Sequence, residues 1–229
     1  MRTTIRSDGG YSLTELLVAA SAGTLVLLGL FAMFDLATKN SAEVTQRVDA
    51  NARAKPVMQR LMNDLHSSCT GPAIAPVLPG STNTQLQFQT ASGGGVSPTP
   101  EKHVVTLANG DLAENVYAAS GGTNPNWTYS ASPSSTRILI EDVSAPEAAD
   151  GPPFSYYGTQ AGVIQTTPLP VPLSAADAAR AVQVQVGIQV APSSQPIDDE
   201  NASVTLTDAV VFRFSPFSED PTKANGPCA

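Results

Sequence analysis

Few residues in this chain are equipped for chemistry, and their spacing is uninformative for most reactions. The two cysteines are Cys69 and Cys228, and the two histidines are His66 and His103. No Cys/His spacing in the sequence resembles a zinc site. The run Asp198-Asp199-Glu200 offers oxygen ligands of the kind calcium takes, although three successive acids also read as an ordinary solvated turn. There is no G-x-S-x-G, no phosphate-binding P-loop and no dinucleotide fingerprint. No catalytic residue, metal ligand or cofactor is therefore expected. One carboxylate stands out for its surroundings: Glu15 is the single charge between Tyr11 and Phe34, in the run YSLTELLVAASAGTLVLLGLFAMF. An ionised acid in such company needs a partner, or a place at the edge of the apolar zone.

The element that carries Glu15 comes next. Leu16–Phe34 is 19 residues without a charge. As an α-helix it is roughly 29 Å long, close to the hydrocarbon thickness of a bilayer. Arg2 and Arg6 precede it, so the N-terminus is expected to stay cytoplasmic and the following bulk to be exported. A cleaved secretory signal would have a shorter apolar region and a small-x-small site after it; Asp35-Leu36-Ala37-Thr38-Lys39 supplies none. A plain signal anchor remains open, but gives no reason for Glu15.

The segment Gly10-Tyr11-Ser12-Leu13-Thr14-Glu15-Leu16-Leu17-Val18 resembles the class III signal of type IV pilins and type II secretion pseudopilins. The resemblance implies cleavage by a prepilin peptidase between Gly10 and Tyr11, N-methylation of Tyr11, and retention of the apolar helix. It makes Glu15 the assembly acid at the fifth mature position. Tyr11 stands where the family usually has Phe, and Gly9 where a basic residue often precedes the cut. The implied partners are other pilin or pseudopilin subunits, the peptidase, and the inner membrane before assembly. Leu16, Leu17, Val18, Leu25, Leu28 and Phe31 are the expected helix-packing residues, and the implied destination is a pilus or pseudopilus at the cell surface or in the periplasm.

Beyond Phe34 the apolar positions Leu36, Val44, Val48, Ala52, Met58, Leu61 and Leu65 recur in mostly three- and four-residue steps, opposite Glu43, Arg47, Asp49, Arg53, Arg60 and Asp64. This predicts an amphipathic continuation of the helix to about His66. Pro56 is expected to bend it near residue 52, and Ser-Ser-Cys-Thr-Gly-Pro at 67–72 to end it. The chain thus divides into a leader (1–10), a long helix (11–66; 11–35 membrane or filament core, 36–66 stalk) and an exported head (67–229) with a flexible C-terminal tail.

The head reads as β-rich. Expected strands are Gln85–Thr90, His103–Ala108, Leu112–Ala118, Arg137–Val143, Val182–Val190 and Ser203–Phe214, with a tight hairpin at Asn109-Gly110 and a short helix after Ser174. Loops are expected at 91–100, 120–135, 146–153, 166–172 and 191–201, with Trp127 and Tyr129 in one of them. The fold class is α+β: a long helix packed on a mainly antiparallel sheet, which agrees with the lollipop-like subunit the resemblance implies. Export permits a Cys69–Cys228 disulfide, and pilins often carry a C-terminal one; two free thiols are the alternative. With 12 basic against 20 acidic residues, a net charge of −8, and no basic cluster, nucleic acid is not an expected partner.

A head this large, with an alternating strand followed by Leu206-Thr-Asp-Ala-Val-Val-Phe-Arg213, is similar to W-type minor pilins and J-type pseudopilins. The leading expectation is a minor structural subunit that primes or caps assembly. A filament-borne adhesin using the Trp127 segment, and a membrane-anchored exported enzyme, are the alternatives.

Overall fold

The computed structural model of this chain describes residues 12–69, 74–92, 99–123, 126–193 and 203–212. It divides into two compact units, Met1–Thr45 and Gln46–Ala229. One helix, α1 (Leu13–His66), supplies residues to both and continues through Pro56 without interruption. It begins two residues after the expected Tyr11, because Ser12 caps it, and ends where expected.

The second unit is an α+β assembly of two antiparallel sheets. In the first, β1 (Gln85–Ser92), β2 (Thr99–Ala108) and β3 (Asp111–Thr123) are consecutive neighbours. The far edge of β3 pairs first with β5 (Ser135–Glu141) and further along with β4 (Asn126–Tyr129). The β2–β3 turn is Asn109-Gly110, with φ of 55° and 86°, as the short loop requires. In the second sheet, β9 (Ala181–Val190) is central. One side pairs with β10 (Val204–Val211), the other with β7 (Phe154–Gln160) and β6 (Val143–Ser144). The hairpin partner of β7 is β8 (Val163–Ile164). A two-turn helix, α2 (Ala175–Arg180), is capped by Ser174, whose Oγ accepts from the Asp177 N–H at 3.1 Å.

Three expectations need correction. The segment 120–135 is not one loop: β3 runs on to Thr123, and β4 carries Trp127 and Tyr129. Trp127 pairs with Gly122, whose backbone (φ 96°) leaves no room for a Cβ, 2.2 Å from the Asn126 carbonyl oxygen. The Tyr129 hydroxyl donates to Gln89 Oε1 at 2.6 Å, and burial pushes that phenol up to about 12. Secondly, Arg137–Val143 is not one strand. Asp142 adopts φ 59°, and the chain passes there from β5 in one sheet to β6 in the other. Thirdly, the helix stripe is rotated. Val44, Val48 and Ala52 are exposed, and the buried row is Ala50, Ala54, Met58, Leu61, Met62 and Leu65.

This row joins Leu86, Phe88, Val105, Leu112, Ile140, Val143, Phe154, Tyr156, Val184, Val186, Ile188 and Val190 in one core. Along β9 the valines and isoleucine at 184, 186, 188 and 190 are buried while Gln183, Gln185 and Gln189 are not, so the period-two reading holds. Polar ties add direction. Arg53 donates to the carbonyls of Ala191 (3.1 Å) and Glu141 (2.9 Å), and Asp49 accepts from the Ser193 N–H (3.2 Å) and hydroxyl (3.0 Å). The backbone N–H of Ser193 is the main reason the Asp49 carboxyl sits below its ordinary range.

A buried charge cluster closes the helix–sheet seam. Glu114, with a side chain 2% exposed, accepts from His103 Nδ1 (2.6 Å) and from Arg137 Nε (2.7 Å), with Arg137 Nη2 on the same oxygen. A carboxylate only accepts, so Nδ1 carries the proton, and in the neutral ring Nε2 accepts from Thr90 Oγ1 at 2.9 Å. Phe88 stacks on the imidazole with centroids 5.1 Å apart. Burial alone would raise the Glu114 carboxyl, but the His103 and Arg137 hydrogen bonds outweigh it and hold the group below the usual glutamate value. Asp64 of α1 shifts the other way, raised by burial and by the Glu114 charge.

Because the folded Glu114 carboxyl lies below its unfolded value, its stabilisation is fully present above the unfolded pKa. It is lost as pH falls through the folded one. Glu114→Ala, which takes from His103 and Arg137 the acid they are hydrogen-bonded to, is expected to cost roughly 3 kcal/mol, at the low end for broken buried pairs because Arg137 is about a third exposed. Denaturant titration of the full chain in detergent, followed by Trp127 fluorescence, measures this. The loss should shrink as pH falls from the ordinary glutamate range through the lower value of the folded carboxyl, where wild type also surrenders the interaction.

Candidate functional site

The first turn of α1 is built by Ser12. Its Oγ accepts from the Glu15 N–H at 3.2 Å, and its carbonyl accepts from the N–H groups of Glu15 (3.0 Å) and Leu16 (3.1 Å). Ser12 and Glu15 therefore occupy the cap and third helical positions of the S-x-x-E pattern. A carboxylate in the first turn also meets the positive end of the helix dipole, a favourable placement for an anion. The spacing Ser12-Leu13-Thr14-Glu15 is itself the sequence signal for this local placement of Glu15.

After Glu15 the helix is apolar on every side and covered on none. Thirteen large apolar side chains between Leu13 and Leu36 are more than half exposed. They include Leu16, Leu17, Val18, Leu25, Leu28 and Phe31, the last 73% exposed. Leu27, Leu30, Phe31 and Phe34 frame an apolar groove of about 420 Å³. Removing one such side chain from water is worth roughly 1.5–3 kcal/mol, so covering the set is worth on the order of 20 kcal/mol. Exposed apolar surface of this extent marks a membrane or protein contact, and an all-round apolar helix is a buried or membrane-spanning one.

The few polar side chains within the run look after themselves. Ser21 Oγ donates to the Val18 carbonyl at 2.9 Å and Thr24 Oγ1 to the Ser21 carbonyl at 2.8 Å. Hydroxyls returned to the helix backbone cost little in hydrocarbon. Gly23 and Gly29 have nothing within 4 Å of where a Cβ would stand. Charge returns at Asp35, which pairs with Lys39 at 2.8 Å on the exposed surface. By length and composition α1 is long and apolar enough to cross a membrane.

Of the other sequence-derived sites, Gly10, Tyr11, Cys228 and Asp198-Asp199-Glu200 lie outside the described residues. Cys69 is fully buried and disulfide-bonded, beside Ile74. No protein-family model matches this chain, and no curated protein matches it.

An arginine at the middle of the apolar run should weaken insertion without abolishing it. Leu25→Arg is expected to cost roughly 2.5–3.5 kcal/mol of insertion free energy, lowering the share of the protein in the carbonate-resistant membrane fraction. Val44→Arg, equally exposed but beyond the run, should leave that fraction unchanged.

Proposed function

We propose that this chain is a structural subunit of a type IV pilus or secretion pseudopilus, of the minor class that primes or caps assembly. The observation that carries the reading is the uncovered apolar helix with one carboxylate in its capped first turn. The class III-like signal at Gly10-Tyr11 and the α+β second unit with two antiparallel sheets also support it. In this reading a prepilin peptidase removes residues 1–10 and methylates Tyr11. Leu16, Leu17, Val18, Leu25, Leu28 and Phe31 exchange lipid for the helices of neighbouring subunits. The new α-amino group, four residues before Glu15, meets that carboxylate in the same or an adjacent subunit. The pairing offsets the penalty of an apolar setting and fixes axial register. The head is exported, and a Cys69–Cys228 bridge ties its C-terminus beside the end of the helix, with chain entropy supplying up to roughly 5 kcal/mol for so long a loop.

Mass spectrometry of the protein from its native host tests the processing step: the mature chain should begin at Tyr11 and carry one added methyl. A chain retaining Met1, or beginning beyond Phe34, overturns the reading.

Two variants separate the capping role of Glu15 from the assembly role. Glu15→Gln leaves the Ser12 cap in place but removes the charge, and incorporation into filaments should fall at least tenfold. Ser12→Ala removes the cap, at about 1 kcal/mol, while keeping the carboxylate, and incorporation should stay near wild type. The readout is immunodetection in sheared filament fractions against total cell protein; the reverse pattern would assign Glu15 to helix capping alone.

A further inference from the structure

We draw no further inference here: the strongest candidate, the hydrogen-bonded Thr90–His103–Glu114 row on the inner face of the first sheet, opens on none of the described cavities and belongs to the buried cluster already assigned to the helix–sheet seam.

Discussion

The exclusion of water from one stretch of helix governs this molecule. A helix satisfies its own backbone, so it is one of the two structures that hydrocarbon tolerates. From Leu16 to Phe34 the side chains make the same accommodation, since the hydroxyls of Ser21 and Thr24 bond to their own helix. Glu15 sits at the one place in the run where a negative charge gains from local structure: the first turn, with its free N–H groups and dipole. The chain thereby has an apolar segment that cannot remain bare and a polar head that has to fold in water.

The head answers a different demand, which is to hold its own part of α1 firmly. Apolar packing through Ala50, Ala54, Met58, Leu61, Met62 and Leu65 supplies adhesion but little direction. Direction comes from polar ties at either end of that row. Near residue 50, Arg53 reaches the Glu141 carbonyl, where the chain passes from one sheet to the other, and Arg53 and Asp49 reach the backbone of Ala191 and Ser193 just after β9. Near residue 64, the Glu114 cluster joins β1, β2, β3 and β5, with Asp64 of α1 close enough for its charge to be felt. A buried carboxylate with two cationic or donor partners costs desolvation but tolerates few alternative arrangements.

Much of the architecture was legible in the sequence because it rests on periodicity. The Val/Gln alternation of β9, the Asn109-Gly110 turn and the Ser174 cap are local signals, and each appears where the pattern put it. The misreadings have non-local causes. Val44 and Val48 look like core on hydrophobicity alone, yet the buried row is set by which face of the helix meets the sheets, and Ala50 and Ala54 lie on that face. The crossing at Asp142 depends on a positive φ at a single non-glycine residue, with two different sheets as partners for its neighbours. β4 is only four residues long, and β7 is buried at Phe154, Ser155 and Tyr156 alike, so neither offers a sustained alternation. The Glu114 cluster draws on residues 64, 90, 103, 114 and 137, which no spacing rule connects. For the apolar helix, composition alone was enough to mark the segment.

The self-bonded hydroxyls of the helix have a consequence for how it is recognised. With their hydrogens already committed, Ser21 and Thr24 offer a neighbour only the accepting side of an oxygen, and the leucines, valines and phenylalanines around them offer no polar grip. Whatever lies alongside, acyl chain or another rod, is sorted mainly by contour, and contour discriminates weakly between one aliphatic surface and another. Such a flank can slide and rotate against its surroundings at little cost.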